Sequence, residues 1–184
     1  MRTWGFAAVC MAALIGMGSA APSPALSASP STRSLCRGGE AIIYSCRFGG
    51  NVGSVCLGES DVHYRFGVAG RRVFEVGSDA AWSNIHTGGN RSQAGLNQDH
   101  IRFTNGNTHY IVHSDETGGL NETPGRRSSG IVVVQGPSGA DEIARLDCKA
   151  RTRLSFDRFL DIRKSAPKDW DGEEENDGPF DAIY

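Results

Sequence analysis

The sequence predicts an all-β fold, a small antiparallel barrel or sandwich of about eight strands with a short C-terminal helix. Three observations predict it. Short runs rich in Val, Ile, Tyr and Phe are split by Gly and Asn turns and in part alternate with polar residues. The residue period turns helical at 155–165. Four cysteines follow the N-terminal segment, Cys36, Cys46, Cys56 and Cys148, an even set that suits a disulfide-tied exported domain.

Residues 1–21 read as a secretory signal peptide. Arg2 precedes the apolar run Phe6–Met17, and Gly18-Ser19-Ala20-Ala21 closes it before Pro22. The run has 12 residues, whereas a bilayer span needs about 20. No membrane span is expected here or later. Cys10 follows bulky Val9, which does not suit a lipoprotein cleavage site. Residues 22–34, PSPALSASPSTRS, read as a flexible Pro/Ser/Ala lead-in. A single β domain is expected over 35–166 and a disordered acidic tail over 167–184. These features imply a periplasmic or secreted location.

EAIIYSCRF (40–48) and NVGSVCLG (51–58) read as a hairpin about Gly49-Gly50. In VHYRFG (62–67), Val62, Tyr64 and Phe66 alternate with His63 and Arg65, and VFEVG (73–77) returns. Residues 78–98 are rich in Gly and Asn without clear period and read as a long loop. HIRFTNGNTHYIVHS (100–114) reads as a hairpin on Asn105-Gly106 in a type I′ turn. That register sets Arg102 opposite His109 and Ile101 opposite Tyr110. Ile101, Phe103, Tyr110 and Val112 then share one face. His100, Arg102, His109, Ile111 and His113 share the other, expected to be solvated. Residues 118–129 form a second loop, basic at Arg126-Arg127. GIVVVQG (130–136) is a continuous apolar run that suits a central strand, and EIARLDCKA (142–150) alternates as the last one. In SFDRFLDIRKS, Phe156, Phe159, Leu160 and Arg163 follow helical spacing, and Ser155 can cap the start.

The body from 22 to 168 carries 18 basic and 14 acidic groups, while the tail holds seven acids. The basic residues are not interleaved with an aromatic stripe, so a nucleic-acid partner is not expected. Gly136-Pro137-Ser138-Gly139-Ala140 fails the nucleophile-elbow pattern at Ala140. The run from Asp169 fails the calcium-loop pattern, since Phe180 stands where Glu is required. No cofactor is implied. The histidines are the one alternative. On the expected hairpin His100 lies diagonal to His109 and His113, within about 7–8 Å, so an extracytoplasmic enzyme or a metal-binding protein could use that face. It offers no third ligand, partner acid or nucleophile, and an enzyme is not the favoured reading.

The runs YSCRFGGNVGSVC, HYRFG and IRFTNGNTHYIVH resemble small exported bacterial proteins of unassigned activity over residues 36–150. In outline the chain also resembles the inhibitors of c-type lysozyme. These are eight-stranded barrels with an early Tyr-x-Cys, a late cysteine and a Gly/Ser-rich inhibitory segment ending in tyrosine. Tyr44-Ser45-Cys46 and Cys148 match the cysteine positions. The inhibitory segment would fall in TGGNRSQAGLNQDHIRF, with Ser92 and Gly95 as nearest equivalents and the tyrosine missing.

Four cysteines allow three pairings. In a closed barrel the first and last strands are neighbours, which favours Cys46–Cys148 and leaves Cys36–Cys56. The expected function is an exported, disulfide-stabilised binding protein with a protein partner, an inhibitor of a cell-wall hydrolase such as lysozyme. The expected contact residues are Asn90, Arg91, Ser92, Gln93 and Asn97. They are polar, and Arg91 can grip a carboxylate of a glycosidase cleft in two-pronged fashion.

Overall fold

The computed structural model describes residues 34–71, 73–90, 95–137, 141–149 and 156–172, without the side chains of 90 and 156–160. The expected signal peptide lies outside the described residues, as does the lead-in up to residue 33. Nine strands form two antiparallel meanders. Sheet A holds β1 (Ala41–Phe48), β2 (Asn51–Leu57), β3 (Val62–Gly67) and β4 (Val73–Gly77), in chain order. Sheet B holds β5 (Ile85–Asn90), β6 (Leu96–Asn105), β7 (Thr108–Thr117), β8 (Arg127–Gln135) and β9 (Asp141–Asp147), also in chain order. Helix α1 (Phe156–Ser165) follows. No ladder joins β1 to β9 or β4 to β5, so the fold is a sandwich and not a closed barrel.

The alternation read from the sequence decides which side chains meet. Tyr64 on β3 is 2% exposed and lies against Phe103 and Tyr110 of the other sheet, with ring centroids 5.9 and 5.4 Å away. Val55, Ile101, Val112 and Ile131 complete the buried layer. The sheets approach closely at Gly53, where a Cβ would stand 2.5 Å from Ile131 Cδ1. Cys46 bonds Cys148 and Cys36 bonds Cys56, as expected. The first bridge ties β1 to the residue following β9, linking two strands that do not pair. Its loop spans 102 residues, a closure that stabilises by about 4–5 kcal/mol on the chain-entropy account.

Four expectations need correction. The long loop at 78–98 contains β5 and the start of β6. IHTGGN lacks an apolar alternation, yet Ile85 and Thr87 are buried on the inner side and the strand pairs along β6 from Ile85↔Phe103 to Asn90↔Gln98. The β6–β7 turn is centred on Gly106-Asn107, with Asn105 paired to Thr108. Gly106 has φ 60° and Asn107 is not left-handed, which fits a type II′ turn rather than type I′. Each cross-strand partner therefore moves by two residues, and the faces are unchanged because the side-chain period is two. In α1 the described buried side chain is Ile162, while Arg163 is exposed. Phe156, Phe159 and Leu160 lie among the positions whose side chains are not described.

The fourth correction concerns the start of the acidic tail. Residues 167–172 are held on the body. The Trp170 ring meets that of Trp82, 6.0 Å away and edge-on, and its Nε1 donates to the Ile85 carbonyl at 3.1 Å. The Gly172 carbonyl accepts from Thr87 N at 2.7 Å. The partly buried indole packs on the core while its N–H is satisfied, which anchors the segment beside its acidic neighbours. Residues 173–184 lie outside the described residues.

A charged network binds the start of the domain to the outer side of sheet A. Arg65 is 2% exposed and grips Glu40 through both terminal nitrogens, at 2.5 and 2.8 Å. It also reaches Glu75 at 3.1 Å. The Arg65 hydrogen bonds outweigh burial and hold the Glu40 carboxyl down to about 2 from its ordinary 4.5. A depressed carboxyl stabilises the fold above its unfolded pKa and loses that contribution as pH falls through the folded one.

Two predictions follow from this packing. Glu40→Gln should destabilise the domain at pH 7 by about 3 kcal/mol, the low end for a broken buried pair because Glu75 remains. It should also flatten the loss of stability between the ordinary 4.5 and about 2. Urea melts of both proteins across that window check it. Truncation after Ala166 should lower the melting temperature by more than about 5 °C, read by differential scanning calorimetry.

Candidate functional site

The histidine face of sheet B is not solvated. His100 is 1% exposed, and Arg102, His109 and His113 are each 6% exposed. His100 lies directly opposite His113, while His109 lies opposite Thr104, so the three imidazoles do not converge as expected. Glycines on the neighbouring strands make room for two of the rings. A Cβ on Gly88 would fall 2.3 Å from His100 Cε1, and one on Gly130 would fall 2.9 Å from His113 Nε2. The rings thus sit over opposite neighbouring strands, β5 and β8.

Several polar groups here tie the sheet together. His109 Nε2 faces the Gly136 carbonyl at 3.0 Å, so it carries the proton, and Nδ1 accepts from the Thr104 hydroxyl at 3.0 Å. Asp115 is the anchor of the other group. His113 Nδ1 and Ser128 Oγ meet its Oδ2 at 3.0 and 3.1 Å, and Gln98 Nε2 donates to Oδ1 at 3.1 Å. Burial opposes the charge on Asp115, but these bonds, the His113 bond foremost, outweigh it and hold the carboxyl below its usual range. Ser128 bonds the carboxylate and not the imidazole, so these residues do not form a nucleophile–base–acid chain. Among the described residues, the group of donor atoms close enough to share a metal is Cys36, Glu40 and Cys56, within 4.8 Å. Two of these are bonded to each other.

The other candidate surface is the end of sheet B where the β5–β6 and β7–β8 connections meet. Asn90 ends β5, and Asn97 lies on β6 opposite Glu116, half-buried. These two residues are the feet of a hairpin. Arg91, Ser92 and Gln93 lie outside the described residues. The described ends of the expected contact stretch thus belong to β5 and β6 and not to a long loop. Gly118 N donates to Gly95 O at 2.8 Å and ties this hairpin to the β7–β8 loop.

That loop is braced from within. Gly125 N donates to Thr117 O at 3.0 Å, and Arg126 N to Thr117 Oγ1 at 2.9 Å. Asn121 N donates to Gly118 O at 3.0 Å, and Thr123 N to Asn121 Oδ1 at 3.1 Å. The Thr117 hydroxyl also donates to Thr123 O. At its base, Glu116 and Arg127 pair across the strands at 2.9 Å. On this frame Leu120 is 74% exposed, with Arg126 also in solvent. The sequence reading marked this loop only as basic. The missed signal was a lone Leu among Gly, Asn, Thr and Pro, a side chain with no alternation to bury it.

Fold and site together define a disulfide-tied, two-sheet β-sandwich with a paired-loop end. Scans of protein-family models, curated proteins and solved structures match nothing to this chain. Among the described residues no helix is long and apolar enough to cross a membrane.

Asp115→Ala should deprive the buried His113 and Gln98 donors, and the Ser128 hydroxyl, of this acceptor. A loss of about 2 kcal/mol is expected, measured by denaturant unfolding at pH 7.

Proposed function

We propose that this is an exported binding protein that recognises its partner through the paired-loop end of sheet B, and that the partner is a cell-wall hydrolase such as a lysozyme. The observation that carries the reading is Leu120, 74% exposed on a loop whose backbone is fixed by its own hydrogen bonds. A loop already ordered in the free protein loses less entropy on binding. The apolar Leu120 side chain stands in solvent, where a partner could cover it.

The basic residues of the same end supply the chemistry for a glycosidase. Such enzymes carry two carboxylates about their scissile bond, and a guanidinium forms paired hydrogen bonds to a carboxylate. Arg126 stands in the braced loop, and Arg91 follows in sequence directly after Asn90, the last residue of β5. Two disulfides suit a protein that works in an oxidising compartment.

The test is bacterial lysis by c-type, g-type and i-type lysozymes with and without the mature protein. Inhibition of at least one type is expected. Leu120→Asp and Arg91→Ala should each weaken it about tenfold, or about 1.4 kcal/mol. No inhibition of any type would remove lysozyme as the partner. Inhibition unmoved by both substitutions would place the contact on another surface.

A further inference from the structure

We propose that the free side of β5 is a strand-pairing edge, that Trp170–Gly172 closes it in cis, and that its trans occupant is β5 of a second copy of this chain. The sandwich has four edge strands, β1, β4, β5 and β9. Unpaired edges invite pairing with other chains unless something blunts them, and charged residues are a common means. Arg47 lies on β1, Glu75 on β4, and Asp141, Glu142, Arg145 and Asp147 on β9. The β5 sequence, IHTGGN, contains no Asp, Glu, Lys, Arg or Pro. Among the described residues it is also the edge that another segment of the chain covers.

The cover is short and runs parallel to β5. Thr87 N donates to Gly172 O at 2.7 Å, and Ile85 O accepts from Trp170 Nε1 at 3.1 Å. The approach demands glycine. A Cβ on residue 172 would stand 2.4 Å from the Ile85 carbonyl oxygen. By the two-residue period, the backbone of Gly89 points to the same side as that of Thr87. An antiparallel copy of β5 centred on Thr87 would set Ile85, Thr87 and Gly89 against Gly89, Thr87 and Ile85. It would meet more of these groups than the cis segment does. A strand pairing with itself about a two-fold axis closes the assembly at two chains, and neither strand brings a charge to oppose it.

The experiment compares the wild type, Gly172→Val, and Gly172→Val combined with Gly89→Pro. Sedimentation velocity is run from about 1 to about 100 µM, where modest dimers dissociate measurably. Gly172→Val prises the segment off β5 and leaves Trp170 in the chain. Proline at 89 removes only the outward N–H of the edge and spares the β5–β6 ladder. The wild type should sediment as one chain, Gly172→Val as two at the upper concentrations, and the double variant again as one. A dimeric wild type, a folded monomeric Gly172→Val, or dimers that persist with Gly89→Pro would each overturn the proposal. Loss of the fold in Gly172→Val would overturn it too, since the segment would then be core and not a displaceable cover.

Discussion

The fold depends first on an aromatic cluster centred on buried Tyr64, set between two sheets that share no ladder. Tyr64 reaches Phe103 and Tyr110 across the gap, and the Phe74 ring lies tilted against Tyr110 with centroids 5.0 Å apart. A barrel would add a seam of backbone hydrogen bonds along its closing strands. Here side-chain burial does that work, aided by the Cys46–Cys148 bridge at one side and by the 78–84 connection at the other. In that connection Asn84 Nδ2 donates to Gly77 O at 2.9 Å, while Thr104 N donates to Asn84 O, also at 2.9 Å. One asparagine thus links β4 to β6 with the bonds a ladder would have supplied.

Most strands could be read from the sequence because their alternation is carried by bulky residues. Val62-His63-Tyr64-Arg65-Phe66 has one way to lie on a half-buried sheet, and its bounds were found as they stand. β5 escaped the same reading because Thr87, Gly88 and Gly89 bear no apolar signal. It is a strand because β6 offers a partner and because Gly88 leaves room for the His100 ring. The β6–β7 turn was misplaced for a related reason. Asn-Gly is a strong local signal for one turn type, but the register of ten-residue strands is set along their whole length. The disulfide pairing came out right although the barrel premise did not hold, since a sandwich also brings its first and last strands to the same side.

The candidate site was less legible. Polar hairpin residues look alike in sequence whether they touch a partner or water, so Asn90 and Asn97 could be named but not ranked. The bracing of the β7–β8 loop depends on bonds such as Arg126 N to Thr117 Oγ1, nine positions apart. No local pattern announces them. The histidines misled in the opposite sense. Their spacing suggested a shared ligand, but the glycines beside them turn the rings apart.

The two disulfides differ fivefold in reach, 20 residues against 102. During synthesis the chain emerges from its N-terminal end. Cys36 can find Cys56 once two hairpin strands are out, and sheet A needs nothing later than Gly77 to complete its ladders. Cys46 must wait for β9. Through that interval its thiol stays reactive while sheet B is still being delivered, and a wrong partner would have to be undone by exchange. The meander order of both sheets keeps contacts local, which shortens the wait. A chain that fastens its last strand to its first has made correct arrival of the C-terminal half a condition of its own covalent closure.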